Sequence, residues 1–123
     1  MRVGVDLVDV AAFQARFDGR DDLLADTFSP AELAYCRAQK SPWTHLAARF
    51  GAREAALKAL GTGLAGAIAW RDVEVTRDPA GAPGLVFRGA LGEALGRAGL
   101  KHSTVSLSHT DTYAIAVVVL LEG

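Results

Sequence analysis

Six charged residues set the chemistry open to this chain. Arg49, Arg53, Glu54 and Lys58 fall within "ARFGAREAALKALGTG" (48–63), and Asp6 and Asp9 interrupt the valine-rich run "VGVDLVDV" (3–10). An aspartate from a strand end and a glutamate from a helix would together offer hard oxygen ligands. Mg²⁺ takes one or two such carboxylates and completes its octahedron with water and substrate phosphate. Two carboxylates near bound phosphates, with a lysine as point charge, are the usual equipment of phosphoryl transfer. Arg49 and Arg53 stand at i, i+4, where like charges repel mildly, and an anion lying between them would explain the pair. Plainer readings stay open beside these. Glu54 and Lys58, also at i, i+4, could form a surface ion pair worth about 0.2–0.5 kcal/mol, and Asp6 could mark a strand end turning into solvent.

Elements must position these groups. "VGVDLVDV" reads as a strand, or a strand running into a turn, with Asp6 on the face of Gly4 and Val8. Residues 11–27 read as helical in part. "SPAEL" (29–33) is a helix start, with Ser29 as N-cap, Pro30 in the first turn and Glu32 completing a capping box. That helix stops before Pro42. The next runs from about Thr44 to Leu60, with Gly61 closing it. At about 100° per residue, Leu46, Phe50, Leu57 and Leu60 form one apolar stripe, and Arg53 falls inside it. Ala48, Ala52, Ala55 and Ala59 form an opposite face that lets another element approach closely. A helix apolar nearly all round is buried, and buried charges must be paired, hydrogen-bonded or ligating. A hairpin follows, with strands over 69–77 and 84–87 around "DPAGAP", then a helix over about 90–98 and strands over 103–109 and 113–122. The pattern is a single α+β domain over residues 1–123.

Composition narrows the function classes. Thirteen basic and 14 acidic residues give a net charge of −1, so there is no basic field for nucleic acid. Half the chain is hydrophobic, enough for a core, and a chain this short often finishes burying itself by oligomerising. The lone Cys36 leaves no internal disulfide and no thiolate metal site. No apolar run reaches about 18 residues and no basic, apolar leader precedes the first strand, so a soluble, cytoplasmic protein is expected. His109 ends the strand "SLSH" at a loop, where it could cap, face solvent or serve function. His45 and His102 have no partner at metal-ligand spacing and receive no role. There is no Walker loop, no G-x-G-x-x-G and no G-x-S-x-G.

Taken in order, "GVDLVDV", "ARFGAREAALKALGTG", "WRDVEV…D…G.P" and "SLSHTDTYAIAVVV" resemble the holo-(acyl carrier protein) synthase family of 4′-phosphopantetheinyl transferases over essentially the whole chain. The resemblance implies the fold of that family, an antiparallel sheet packed on a long central helix, assembled as a homotrimer with active sites between subunits. It implies that coenzyme A donates its phosphopantetheine arm to a serine of an apo acyl carrier protein, releasing 3′,5′-ADP. Asp6 and Glu54 would then hold Mg²⁺ against the coenzyme A pyrophosphate, with Glu54 also the path for the serine proton. Lys58 would neutralise charge on the phosphates and leaving group. Arg49, Arg53, Gly61, His109 and Thr110 would lie on the coenzyme side, with His109 meeting the carboxylates of a neighbouring subunit, and the alanine-faced helix would serve close packing in the trimer. The family pattern reads "AAKEA" where this chain has "GAREA", and it carries a basic residue where this chain has Ala12. Either a fatty-acid or a polyketide-type carrier protein would fit. The rival reading is a non-catalytic relative that binds coenzyme A or a carrier protein, against which stands the joint presence of Asp6, Glu54 and Lys58.

Overall fold

A computed structural model describes residues 1–61 and 70–123. The order is β1 (Arg2–Asp9), α1 (Val10–Phe17), α2 (Asp21–Thr27), α3 (Pro30–Arg37), α4 (Pro42–Leu60), a 3₁₀ turn (Trp70–Asp72), β2 (Val73–Arg77), β3 (Pro83–Phe87), α5 (Gly89–Arg97), β4 (Leu100–His109) and β5 (Tyr113–Glu122). β1, β5 and β4 form an antiparallel sheet in that spatial order, and β2 and β3 form a separate hairpin. Among the described residues no helix is long and apolar enough to cross a membrane.

Several expected boundaries move for local reasons. Residues 11–27 hold two helices broken around Gly19, and Asp9 caps the first by accepting from the Ala12 N–H at 3.0 Å. Asp9 is therefore committed to a helix start, a role short aspartate side chains fill well. α4 begins at Pro42, because proline at N1 loses no hydrogen bond and already has a helical φ. The strand expected over 69–77 starts only at Val73: Trp70–Asp72 is a 3₁₀ turn, and position 69 lies outside the described residues. β4 starts three residues early, at Leu100. The capping box of α3 forms as expected, with Ser29 N–H donating to Glu32 Oε1 at 3.1 Å and Glu32 N–H to Ser29 Oγ at 3.2 Å.

α4 is buried on nearly every side. Phe50 and Leu46 pack with Phe13, Phe17 and Phe28 of the small helices, while Leu57 and Leu60 join Val73, Val75, Leu91 and Leu95. The alanine face is covered by β1 and β5 of the same chain, so the small residues are used inside the subunit and not, as the resemblance suggested, to pack one subunit on another. Gly4 shows how close the approach is. A Cβ there would overlap the Ala55 carbonyl oxygen and stand 2.8 Å from the Ala59 nitrogen. Gly61 ends the helix with φ 88°, and Arg2 Nη1 donates to the Leu60 carbonyl at 2.7 Å, satisfying a C-terminal acceptor.

Candidate active site

β1 alternates, and its inward face carries Gly4, Asp6 and Val8 toward α4. Asp6 is 7% exposed, paired across the sheet with Ala116, and opposite the part of α4 that carries Gly51. A Cβ on Gly51 would lie 3.3 Å from Val8 and 3.8 Å from Asp6 Oδ2, so the helix passes close to the carboxylate. Glu54, one helical turn beyond Gly51, brings its carboxyl beside that of Asp6. Burial holds the Glu54 carboxyl above the usual carboxylate range, and the neighbouring Asp6 charge pushes it the same way. Lys58 Nζ reaches Asp6 Oδ1 at 2.8 Å and the Val5 carbonyl at 3.2 Å. The Asp6 hydrogen bond keeps its ammonium protonated to higher pH than usual. Asp6, Glu54 and Lys58 thus meet. Asp6 and Glu54 line a groove of about 270 Å³ together with Ala12, Phe13, Arg16 and Phe50.

The carboxylate pair suits a hard cation. Two acidic groups share one space, and a divalent ion there would relieve the crowding that raises Glu54. Mg²⁺ needs no more than this from a protein. The described residues hold no cluster of three or more metal-ligating side chains, so a metal here would rely on water or substrate for its other ligands.

The two arginines divide. Arg53 is 0% exposed, and its anion is Glu32 of the same chain: Nη1 donates to Glu32 Oε2 at 2.9 Å and Nη2 to Oε1. Its Nε donates to the Trp70 carbonyl at 3.0 Å, and the guanidinium lies over the Phe28 ring. The expected role of Arg53 on the coenzyme side is thereby corrected, since a fully enclosed fork bound to a carboxylate has no face to offer a phosphate. Arg49 is 2% exposed, lies 4.6 Å from the Tyr35 ring centroid, and leaves its Nε without a hydrogen-bond partner among the described residues.

His109 lies at the exposed end of β4, with its ring 5.0 Å from that of His45. Burial, then the nearby His109, pushes His45 below the usual histidine range. His45 and Glu54 are nine residues apart on one helix, about 13 Å along its axis, so within one chain His109 joins the Arg49 end of α4 and not the carboxylates. Thr110 Oγ1 accepts from the Thr112 and Tyr113 N–H groups and shapes the β4–β5 turn. Tyr35, His45 and Arg77, whose guanidinium covers Tyr35 at 4.7 Å, were missed as neighbours of Arg49. His45 had one usable signal, its position four residues before Arg49 on the same helix edge. Cys36 is enclosed, and burial pushes its thiol up to about 11, which keeps it unreactive.

Comparisons with known proteins identify the family of the chain. The model of the 4′-phosphopantetheinyl transferase superfamily matches residues 2–118. A holo-[acyl-carrier-protein] synthase of Geotalea daltonii is 44% identical over 119 residues, covering 95% of this chain and 94% of the relative. The crystal structure of the Neisseria meningitidis holo-[acyl-carrier-protein] synthase superposes with a TM-score of 0.87 at 28% identity, covering 98% of each chain. That of the Helicobacter pylori synthase, in complex with coenzyme A, gives 0.84 at 26% identity, covering 97% of this chain and 99% of that one. The chain belongs to the 4′-phosphopantetheinyl transferase superfamily, in its holo-[acyl-carrier-protein] synthase family.

Proposed function

We propose that this protein moves the 4′-phosphopantetheine arm of coenzyme A onto a serine hydroxyl of an apo acyl carrier protein, with Mg²⁺ held by Asp6 and Glu54. The observation that carries the reading is the meeting of Asp6, Glu54 and Lys58 beside an open groove. The serine oxygen forms a new bond to the phosphorus that bears the pantetheine, the pyrophosphate P–O bond breaks, and 3′,5′-ADP leaves with the electron pair. Glu54, whose proton affinity is raised by burial, accepts the serine proton. Lys58, more than half exposed, turns its ammonium to the charge building on the leaving phosphate. Mg²⁺ supplies the remaining neutralisation of the pyrophosphate when bound. Arg49, Gly61, His109 and Thr110 are assigned to the coenzyme side, and the H. pylori relative crystallised with coenzyme A supports that class of co-substrate.

A homotrimer is part of the proposal. The outer face of β1 shows Val3 64%, Val5 51% and Leu7 63% exposed, with Tyr113 beside Leu7. Alternate apolar residues on an uncovered sheet face fit burial against a second copy. An interfacial active site would also bring the partner subunit's His109 to the carboxylates that this chain's own His109 does not approach.

The test is intact-protein mass spectrometry of an apo acyl carrier protein incubated with coenzyme A, Mg²⁺ and this protein. The expected result is a mass gain of one phosphopantetheine that a chelator abolishes. No gain on fatty-acid or polyketide-type carriers, with coenzyme A still bound, would replace transfer by the binding-only reading.

A further inference from the structure

Arg53 and Glu32 form a bidentate ion pair with side chains 0% and 1% exposed. Both carboxylate oxygens have further work: Oε1 accepts from Ser29 N–H at 3.1 Å and Oε2 from Val75 N–H at 3.3 Å. With its Nε on the Trp70 carbonyl, Arg53 ties the middle of α4 to the first turn of α3 and to the chain entering β2 at a single point. Stability alone explains this poorly, because well-packed apolar replacements of buried ion pairs are often as stable.

The far side of α4 suggests what the pair is for. There the helix rests on β1 and β5 through Gly51, Ala52, Ala55 and Ala59. Small side chains allow a close approach but raise no tall ridges to interlock, so that contact sets distance better than it sets rotation. Glu54 follows Arg53 directly, and Arg49 precedes it by one turn. Any roll of α4 would therefore carry Glu54 away from Asp6 and Arg49 off Tyr35. A planar fork gripping a carboxylate fixes orientation where a single ammonium would fix only a distance.

We infer that the Arg53–Glu32 pair is a positioning device that locks the roll of α4, aiming Glu54 at Asp6. Neither residue touches substrate. The inference rests on the proposed function for its kinetic readouts but not for its structural one.

The test compares wild type with the double variant Glu32→Gln/Arg53→Met, which removes both charges and orphans neither, and with the conservative Arg53→Lys. Mg²⁺ alone is titrated by calorimetry, kcat and KM for coenzyme A are measured, and crystal structures give the Glu54–Asp6 separation. The double variant should stay folded but melt lower, since an amide replaces only one acceptor oxygen of Glu32, and it should bind Mg²⁺ on the order of tenfold more weakly and lose a similar factor in kcat, as variants of supporting residues behind metal ligands do. KM should change little, and Arg53→Lys, which keeps the charge without the planar fork, should show an intermediate loss. A folded double variant with wild-type Mg²⁺ affinity and kcat would reduce the pair to a stabilising contact. Should the double variant not fold, Arg53→Lys alone decides, because it keeps the buried charge paired, and wild-type values in that protein would overturn the inference. If wild type itself neither binds Mg²⁺ nor transfers, the functional reading fails. The Glu54–Asp6 separation then decides the positioning role, and an unchanged separation refutes it.

Discussion

Lys58 pairs with Asp6 and not with Glu54, its neighbour one turn back on the same helix: Nζ lies 2.8 Å from Asp6 Oδ1. The i, i+4 spacing on α4 allowed the local pair, but Asp6 on β1 is the more deeply buried acid and offers the ammonium the Val5 carbonyl as a second acceptor. The lysine therefore bridges strand and helix and neutralises one of two crowded carboxyls.

Lys58→Met should lower transfer on the order of tenfold to a hundredfold through lost charge on the leaving phosphate. The same change should tighten Mg²⁺ binding in the absence of coenzyme A, because no ammonium then competes for Asp6. Calorimetry with Mg²⁺ alone checks the second effect. Weaker binding in the variant would mean that Lys58 does not hold the carboxylate against the ion.

Glu54→Gln should cut turnover on the order of 10³-fold while leaving the fold intact, since the amide is isosteric and the proton path is gone. Near-wild-type turnover would remove Glu54 from both the metal and the proton roles.

The pH dependence of metal-free stability follows from the direction of the Glu54 shift. Its folded pKa lies above the usual 4.5, so between those two values the folded state binds more protons than the unfolded state. Stability therefore falls as pH rises from 4.5 through the raised value and levels off above it. Glu54→Gln lacks this loss. Thermal melts in chelator should show the variant equal to wild type near pH 4 and increasingly favoured as pH rises through the raised value, and a gap that stayed constant with pH would contradict the assigned shift.

Gly4→Ala should destabilise the protein by about 3 kcal/mol, at the upper end of overpacking costs, because the added methyl meets backbone atoms of Ala55 and Ala59 that no rotamer can move. The expected drop in Tm is on the order of 10 °C. A melt unchanged by the substitution would show that α4 and β1 can separate freely.

In solution, light scattering should give three times the 12.9 kDa of the chain. Val5→Lys, on the exposed face of β1, should reduce that mass to the monomer and abolish transfer with it. A monomeric wild type would undo the interface reading of this face.

Part of the candidate site is legible along the chain, because periodicity reports which face a residue occupies. Asp6 fell on the face of Gly4 and Val8, and that face is the buried one. The capping box at Ser29 and Glu32 was visible because both partners lie within one turn. Contacts between distant segments were not visible. Glu32 looked complete as a capping residue, so nothing marked it as the anion for Arg53, 21 positions later. His45 drew no attention because its neighbour His109 comes from a strand that pairs at the other end of the chain. The alanine face signalled a close approach without saying to what, and its partner is β1 of the same subunit.

The missing side chain at Gly4 reaches further than local packing. Asp6 is two residues along the same strand and shares its orientation, so the narrow gap that glycine permits also sets how near an acid on β1 comes to an acid on α4. The bite of the two-carboxylate jaw is thus gauged by one absent carbon. An engineer transplanting these acids to another strand–helix pair would have to copy that spacing first, since a scaffold with an ordinary residue there would hold the jaw open.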